Sequence, residues 1–330
     1  MGISFLSILI LLAGGLQSDK NLDEAIHLYG KGEFRRSVEL LQQLKDASPD
    51  EPDVRLWLGK AYLKTRDWDS AIHEIERATQ LQPENAHLYL WLGRACGARA
   101  SHSFFATAFG WARRVLREFE TARNLAPKDL DIRFDLLDFY LTAPSIIGGG
   151  KSKAEAEAEA IANLNPSKGY IARAIVLQKN KKWDQALKEL MQGAAQYPAA
   201  DAYKDLAIYL FYRKDYEGSL DWAKKALELD SESKESRLLV AASHIRLRSN
   251  LDRAAKILHR LAEGVLSDDD PSFEEVYYWL GECYLEAGDA EKAREAFKSA
   301  LIFNPDYSEA KNGISRLKQF HNRSNGLRYR

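Results

Sequence analysis

The 330 residues carry 47 Lys and Arg against 48 Asp and Glu, with the two signs interspersed, so no chain-wide field favours DNA or RNA. The composition is 45% hydrophobic with only 9 prolines and no alternating runs, which describes an all-α protein; its length calls for two domains or a repeat array rather than one core. Two cysteines, Cys96 and Cys283, exclude a disulfide framework and any CxxC metal or redox site, and both are expected as small core residues.

At the N-terminus an apolar run from Phe5 to Leu12 precedes Ala13-Gly14-Gly15, a small-x-small pattern suited to signal peptidase, and the run is short for a membrane span. A signal over residues 1–18 is expected, which would place the mature protein outside the cytoplasm or at the cell envelope, in the periplasm if the source is bacterial. No Lys or Arg precedes the run, so an uncleaved anchor and a buried first helix in a cytoplasmic protein remain open.

Beyond it, Phe34, Ser37, Leu41, Leu44 and Pro49 form the second half of a degenerate first unit. The clearest unit follows at 52–85, with Leu58, Gly59, Tyr62, Ala71, Ala78 and Pro83. Gly93 opens the next copy in the same register, over 86–129. Further units end at Ile161 and Pro166, at Gly193 and Pro198, at Ala226, and around Ala254 and Leu258. The last, over 274–307, repeats the spacing with Leu280, Gly281, Tyr284, Ala293, Phe297, Ala300 and Pro305, and residues 308–320 read as a closing helix. A small residue at the eighth place lets two helix backbones approach, and the terminal proline stops the second helix.

These residues resemble the tetratricopeptide repeat. The resemblance implies an all-α, right-handed superhelical solenoid of about eight antiparallel helix pairs over 19–320, closed by a capping helix and followed by a short basic tail at 321–330. It also implies a non-catalytic scaffold that binds a peptide or helix of a protein partner in its concave groove. Positions 4, 7, 8 and 11 of each first helix are expected in the core, and positions 2, 6, 9 and 13 on the groove. The groove would then carry Asp53, Trp57, Lys60 and Lys64, next His87, Trp91 and Arg94, then Asp131, Asp135 and Asp138, and in the last unit Glu275, Trp279, Glu282 and Glu286. The tryptophans read either as packing residues or as anchors for a partner. Family members that bind chaperone tails use a lysine and an asparagine; Lys204 fits the first place, but Ile208 stands in the second, so that clamp does not carry over.

Two units are expanded. Ten extra residues fall near the stretch 103–111, where Phe104, Phe105, Ala108 and Trp111 are expected on one helical face, either packed on neighbours or exposed to a partner or, with Arg113 and Arg114, to a membrane surface. Five more fall at 144–152, where Gly150-Lys151-Ser152 matches the end of a phosphate-binding loop but Ser145 replaces its first glycine and no strand precedes it. The residues there predict an inter-helix turn closed by a capping box from Ser152 to Glu155. A nucleotide- or phosphate-responsive role for Gly148–Ser152 is the alternative function. The 7 histidines form no metal-binding spacing, and no cofactor or metal site is expected.

Overall fold

The computed structural model describes residues 20–326, with side chains through Leu317, so the expected signal at 1–18 and the side chains of the tail at 321–330 lie outside the described residues. Within them there are seventeen α-helices and no strand. The chain divides into two compact units, one through Asn180 and one from Lys181. The first contains α1 (20–30), α2 (Phe34–Ala47), α3 (Pro52–Thr65), α4 (Trp68–Leu81), α5 (Ala86–Ser101), α6 (Phe105–Leu125), α7 (Leu130–Thr142), α8 (Lys151–Leu164) and α9 (Pro166–Lys179). The second contains α10 (Trp183–Gln196), α11 (Ala200–Tyr212), α12 (Tyr216–Leu229), α13 (Lys234–Arg246), α14 (Leu251–Glu263), α15 (Phe273–Glu286), α16 (Ala290–Phe303) and α17 (Ser308–Gly326). Within each unit successive helices pack in chain order, four pairs and α9 in the first, α10, three pairs and the closing α17 in the second, the helix-pair organisation that the repeat implies.

Local chemistry sets the boundaries. Asp67, Asn85, Asp129, Asp215 and Asp289 each cap a helix by accepting from a backbone N–H of its first turn, and Pro52 and Pro166 occupy first-turn positions where no N–H is needed. The repeat glycines then let paired helices meet: a Cβ at Gly59 would strike Ile75, and at Gly93 and Gly281 the rings of Phe119 and Phe297. Leu41, Leu58, Ala71, Ala254, Leu258, Ala293 and Phe297 are fully buried, as their repeat positions predict.

Position 4 departs from the apolar expectation. Arg55 and Arg133 stand there, and each reaches a buried glutamate on the paired second helix at 2.5 Å, Glu74 and Glu157 respectively. Lys45 also meets Glu74 at 3.2 Å, and Arg123 meets Glu157 at 3.7 Å. A charge at this depth persists because it is paired.

The first expansion lengthens a helix pair and the second forms an ordered turn. The first stretches α5 to 16 residues and α6 to 21, against 14 each for α3 and α4. The second is a 3-10 turn, Ser145–Ile147, followed by Gly148 at φ 105° and Gly150 at φ 142°. The expected capping box does not form. Gly150 is the N-cap, its carbonyl already accepting from Ala154 N at 3.1 Å, so Ser152 lies inside the first turn and no side chain caps α8.

Candidate functional site

In the first unit, positions 6 and 9 of successive first helices form a ladder. Lys60 Nζ sits 3.7 Å from the Trp57 ring centroid and 4.3 Å from that of Trp91, between two electron-rich faces, with Tyr29 edge-on to Trp57 at 5.4 Å. One helix on, the Arg94 guanidinium lies 4.9 Å from the Trp91 centroid and grips Asp135 through Nε at 2.6 Å and Nη2 at 3.3 Å. Position 9 of one repeat thus meets position 6 of the next. The Trp91 indole N–H donates to His87 Nε2 at 2.9 Å, and burial, then Lys60 and Arg94, hold the His87 pKa below its usual value, which keeps that nitrogen an acceptor. Lys60 and Trp91 are consequently buried and Trp57 half-buried, while Lys64 and Asp138 stand exposed. The expected groove residues do meet, but mostly one another.

The open space lies beside this ladder. A cavity of 710 Å³ is walled by Phe105, Phe109 and Phe119 of α6, Phe139 of α7, Pro144, and Ile147 of the 3-10 turn, so the two expansions face each other across it. Its polar edge is the Arg94–Asp135 pair and Asp138. The Asp138 carboxylate forms no ion pair among the described residues; burial and then Asp135 raise its pKa, with Lys179 opposing. Phe105 is 80% exposed, while Phe104 at 90% and Ile146 at 71% add bare apolar surface on the same two expansions.

The single face expected from Phe104 to Trp111 is not formed as such. Phe104 is the extended N-cap residue outside α6, whereas Trp111 is half-buried against the core with Arg99 and Arg114 at 5.9 and 5.7 Å from its ring. Arg114 itself is tied to Glu76 and Glu118. No helix among the described residues is long and apolar enough to cross a membrane.

The glycine turn offers no phosphate cradle. Gly148, Gly149 and Gly150 donate their N–H groups to the carbonyls of Ser145, Pro144 and Tyr140 at 3.0, 3.2 and 2.8 Å. Lys153 donates to the Gly148 carbonyl at 2.9 Å, and Lys151 lies 3.6 Å from Glu155. The glycine donors that such a loop needs are already engaged. Among the described residues no three His, Cys, Asp or Glu side chains are grouped to hold a metal ion.

In the second unit Trp279 and Glu282 are buried as well. Arg246 lies 4.8 Å from the Trp279 centroid and bonds Glu282 at 2.9 Å, and Arg316 also pairs with Glu282. A cavity of 390 Å³ opens beside them, lined by Phe211, Tyr212, Tyr307 and by Glu235, Glu275 and Glu309. Of these only Glu275 was legible as a groove residue. The rest come from helix ends that the repeat pattern does not mark, apart from the acidic residue each of α13, α15 and α17 carries in its first turn.

Residues 16–90 and 248–317 match one tetratricopeptide repeat family model and 171–234 a second, together more than half of the chain. The chain belongs to the tetratricopeptide repeat family, whose members generally act as protein–protein interaction scaffolds. No curated protein sequence matches it. Among solved structures, yeast Tom70 is similar at 15% identity and a TM-score of 0.60, over 93% of this chain and 65% of that one; the likeness shows the fold alone. A thermophilic TPR protein of Thermus thermophilus, TTC0263, matches at 17% identity and a TM-score of 0.42, over 68% of this chain and 98% of that one. YrrB, described as a TPR protein with an unusual peptide-binding site, matches at 19% and 0.39, over 60% and 97%.

Proposed function

We propose that the protein is a non-catalytic scaffold that holds a protein partner at the first unit. A partner segment presents a large apolar side chain to the 710 Å³ cavity and a neighbouring Lys or Arg to Asp138 and Asp135. The observation that carries this is the pairing of the two expansions around an apolar cavity, next to a ladder whose last carboxylate has no cation bonded to it. Apolar contact supplies the affinity of such an anchor and the acidic edge its register. Trp57, Lys60, Trp91 and Arg94 serve as the rigid wall behind the site, and Phe104 and Phe105 as its exposed lip.

Selection from a displayed random-peptide library tests this. The expected enrichment is an aromatic or long aliphatic residue next to a basic one, bound by the wild type and lost on Ala108→Trp, which fills the cavity from α6. Peptides without that pairing, or peptides that bind Ala108→Trp equally, would sink the reading. Export to an envelope compartment belongs to the same proposal and rests on the sequence from Phe5 to Gly15. N-terminal sequencing of the mature protein should begin at Leu16 or Asp19, and a start at Met1 or Gly2 would overturn it.

A further inference from the structure

The cavity of the second unit has a different chemistry from that of the first, and its charges do not balance. Its walls include Phe211, Tyr212, Tyr216, Tyr278, Trp279 and Tyr307. Carboxylates enter from three helices: Glu235 from the first turn of α13, Glu275 from that of α15 and Glu309 from that of α17. Each helix N-terminus favours its own glutamate, which is how three like charges are held near one space.

The cations nearby are largely committed. Arg246 bonds Glu282 and the Tyr278 hydroxyl, at 2.9 and 3.1 Å, and Lys204 lies 3.2 Å from Glu235. Lys214 is the lysine on the lining itself, one ammonium against three carboxylates. Neither Glu275 nor Glu309 forms an ion pair with a cation among the described residues. Burial, then Glu235 and Glu274, raise the Glu275 pKa to about 7, with Glu309 adding and a hydrogen bond from Trp279 opposing. Tyr212, Glu235, Glu275 and Glu309 line this one space, and burial, then the three carboxylates, raise the Tyr212 pKa.

An aromatic wall attracts a cation through its ring faces, and carboxylates that repel one another gain from a positive charge placed among them. The volume of 390 Å³ suits one small group. We infer that this cavity is a binding site for an organic cation, an ammonium or guanidinium head on an apolar stem, held among Glu235, Glu275 and Glu309 against Tyr212 and Tyr307. The site is independent of the partner cleft in the first unit, and either can fail without the other.

Calorimetry on the full chain with n-butylammonium, and with n-butanol as the uncharged match, tests it. The amine should saturate the site and the alcohol should not. Binding should release protons from Glu275, so affinity should rise about tenfold from pH 6 to pH 8, as expected for one proton leaving a group that titrates near 7. Glu275→Gln should abolish that pH dependence. Glu309→Gln, at an exposed position where folding is not at stake, should weaken the amine about fivefold or more, on the order of 1 kcal/mol. A blocked pentapeptide with one central lysine, against its norleucine counterpart, separates the sources. Tighter binding than butylammonium assigns the cation to a protein side chain, and equal or weaker binding assigns it to a free amine; both support the site. Equal binding of alcohol and amine would overturn it, as would indifference to both glutamine variants or no saturation by tens of millimolar amine.

Discussion

Gly93 and Gly97 lie one turn apart on α5 and both line the first-unit cavity, yet the structure assigns them opposite responses to a methyl group. A Cβ at Gly93 would fall less than 3.0 Å from two carbons of the Phe119 ring, whereas at Gly97 its nearest neighbour is Val115 Cγ2 at 3.9 Å, an ordinary contact. Both Gly→Ala changes gain roughly 1 kcal/mol of helix propensity and restrict the unfolded chain alike. Those terms cancel in the comparison. What remains is the overpacking at Phe119, about 1–3 kcal/mol, because the ring must leave its packed position on the neighbouring helix and shift toward the cavity it lines. Gly97→Ala should therefore stabilise the region by about 1 kcal/mol, and Gly93→Ala should leave it neutral or destabilise it by up to about 2.

Repeat arrays open locally, so hydrogen exchange of the α5 and α6 amides is the fitting assay. Protection in Gly93→Ala should be lower than in Gly97→Ala by about five- to 150-fold, the equilibrium equivalent of 1–3 kcal/mol. Adding Phe119→Leu to Gly93→Ala should cost less than it does alone, since it relieves the clash. Equal protection in the two alanine variants would refute the close-approach account of the repeat glycine.

Arg55→Ala should destabilise the first unit by about 3 kcal/mol in denaturant unfolding, because Glu74 keeps only Lys45, and converting both Arg55 and Glu74 to leucine should recover most of that loss. Glu275 takes up its proton more readily folded than unfolded, so it favours the fold below about pH 4.5 and that contribution is lost as pH rises through 7, by at most about 3 kcal/mol; Glu275→Gln should flatten this slope in unfolding measured across that range. Burial pushes the Cys96 and Cys283 thiols up to about 12 and about 11, so both should resist an aromatic disulfide reagent at pH 8 in the folded chain and react promptly in denaturant.

The repeat was legible because its small and large residues answer to backbone approach, which is a property of one helix pair. Ala71, Leu58 and Gly59 have the same neighbours in any chain with this spacing. The core arginines were not legible, since Arg55 and Arg133 occupy a nominally apolar position and only the facing Glu74 and Glu157 explain them. The groove tryptophans stayed open between packing and anchoring for a related reason. Helical periodicity turned Trp57, Trp91 and Trp279 toward the groove, but it carries no information on the cations that reach Trp91 and Trp279 from a neighbouring helix, Lys60 and Arg246. The expansions stood out by their length, whereas the cavity they line depends on Phe139 and Ile147 sharing one space with Phe105, a tertiary fact.

The ladder explains why specificity in the first unit should reside at its end. Lys60 is covered by two rings and Arg94 by Trp91 and Asp135, so neither offers a partner much unshielded charge. Asp138 is next in line and has no ion pair, so the polar edge of the cavity, one arginine and two aspartates, carries a net charge of −1 from 1 − 2. Asp138→Lys makes that edge 2 − 1, or +1, while leaving the apolar walls untouched at an exposed position. Peptides selected on this variant should keep the same aromatic or aliphatic anchor but exchange the neighbouring Lys or Arg for Asp or Glu, with each set discriminating against the other variant by about tenfold, roughly 1.4 kcal/mol. An unchanged basic preference would show that the flanking charge is read elsewhere, and a lost anchor would show that Asp138 shapes the cavity rather than its edge.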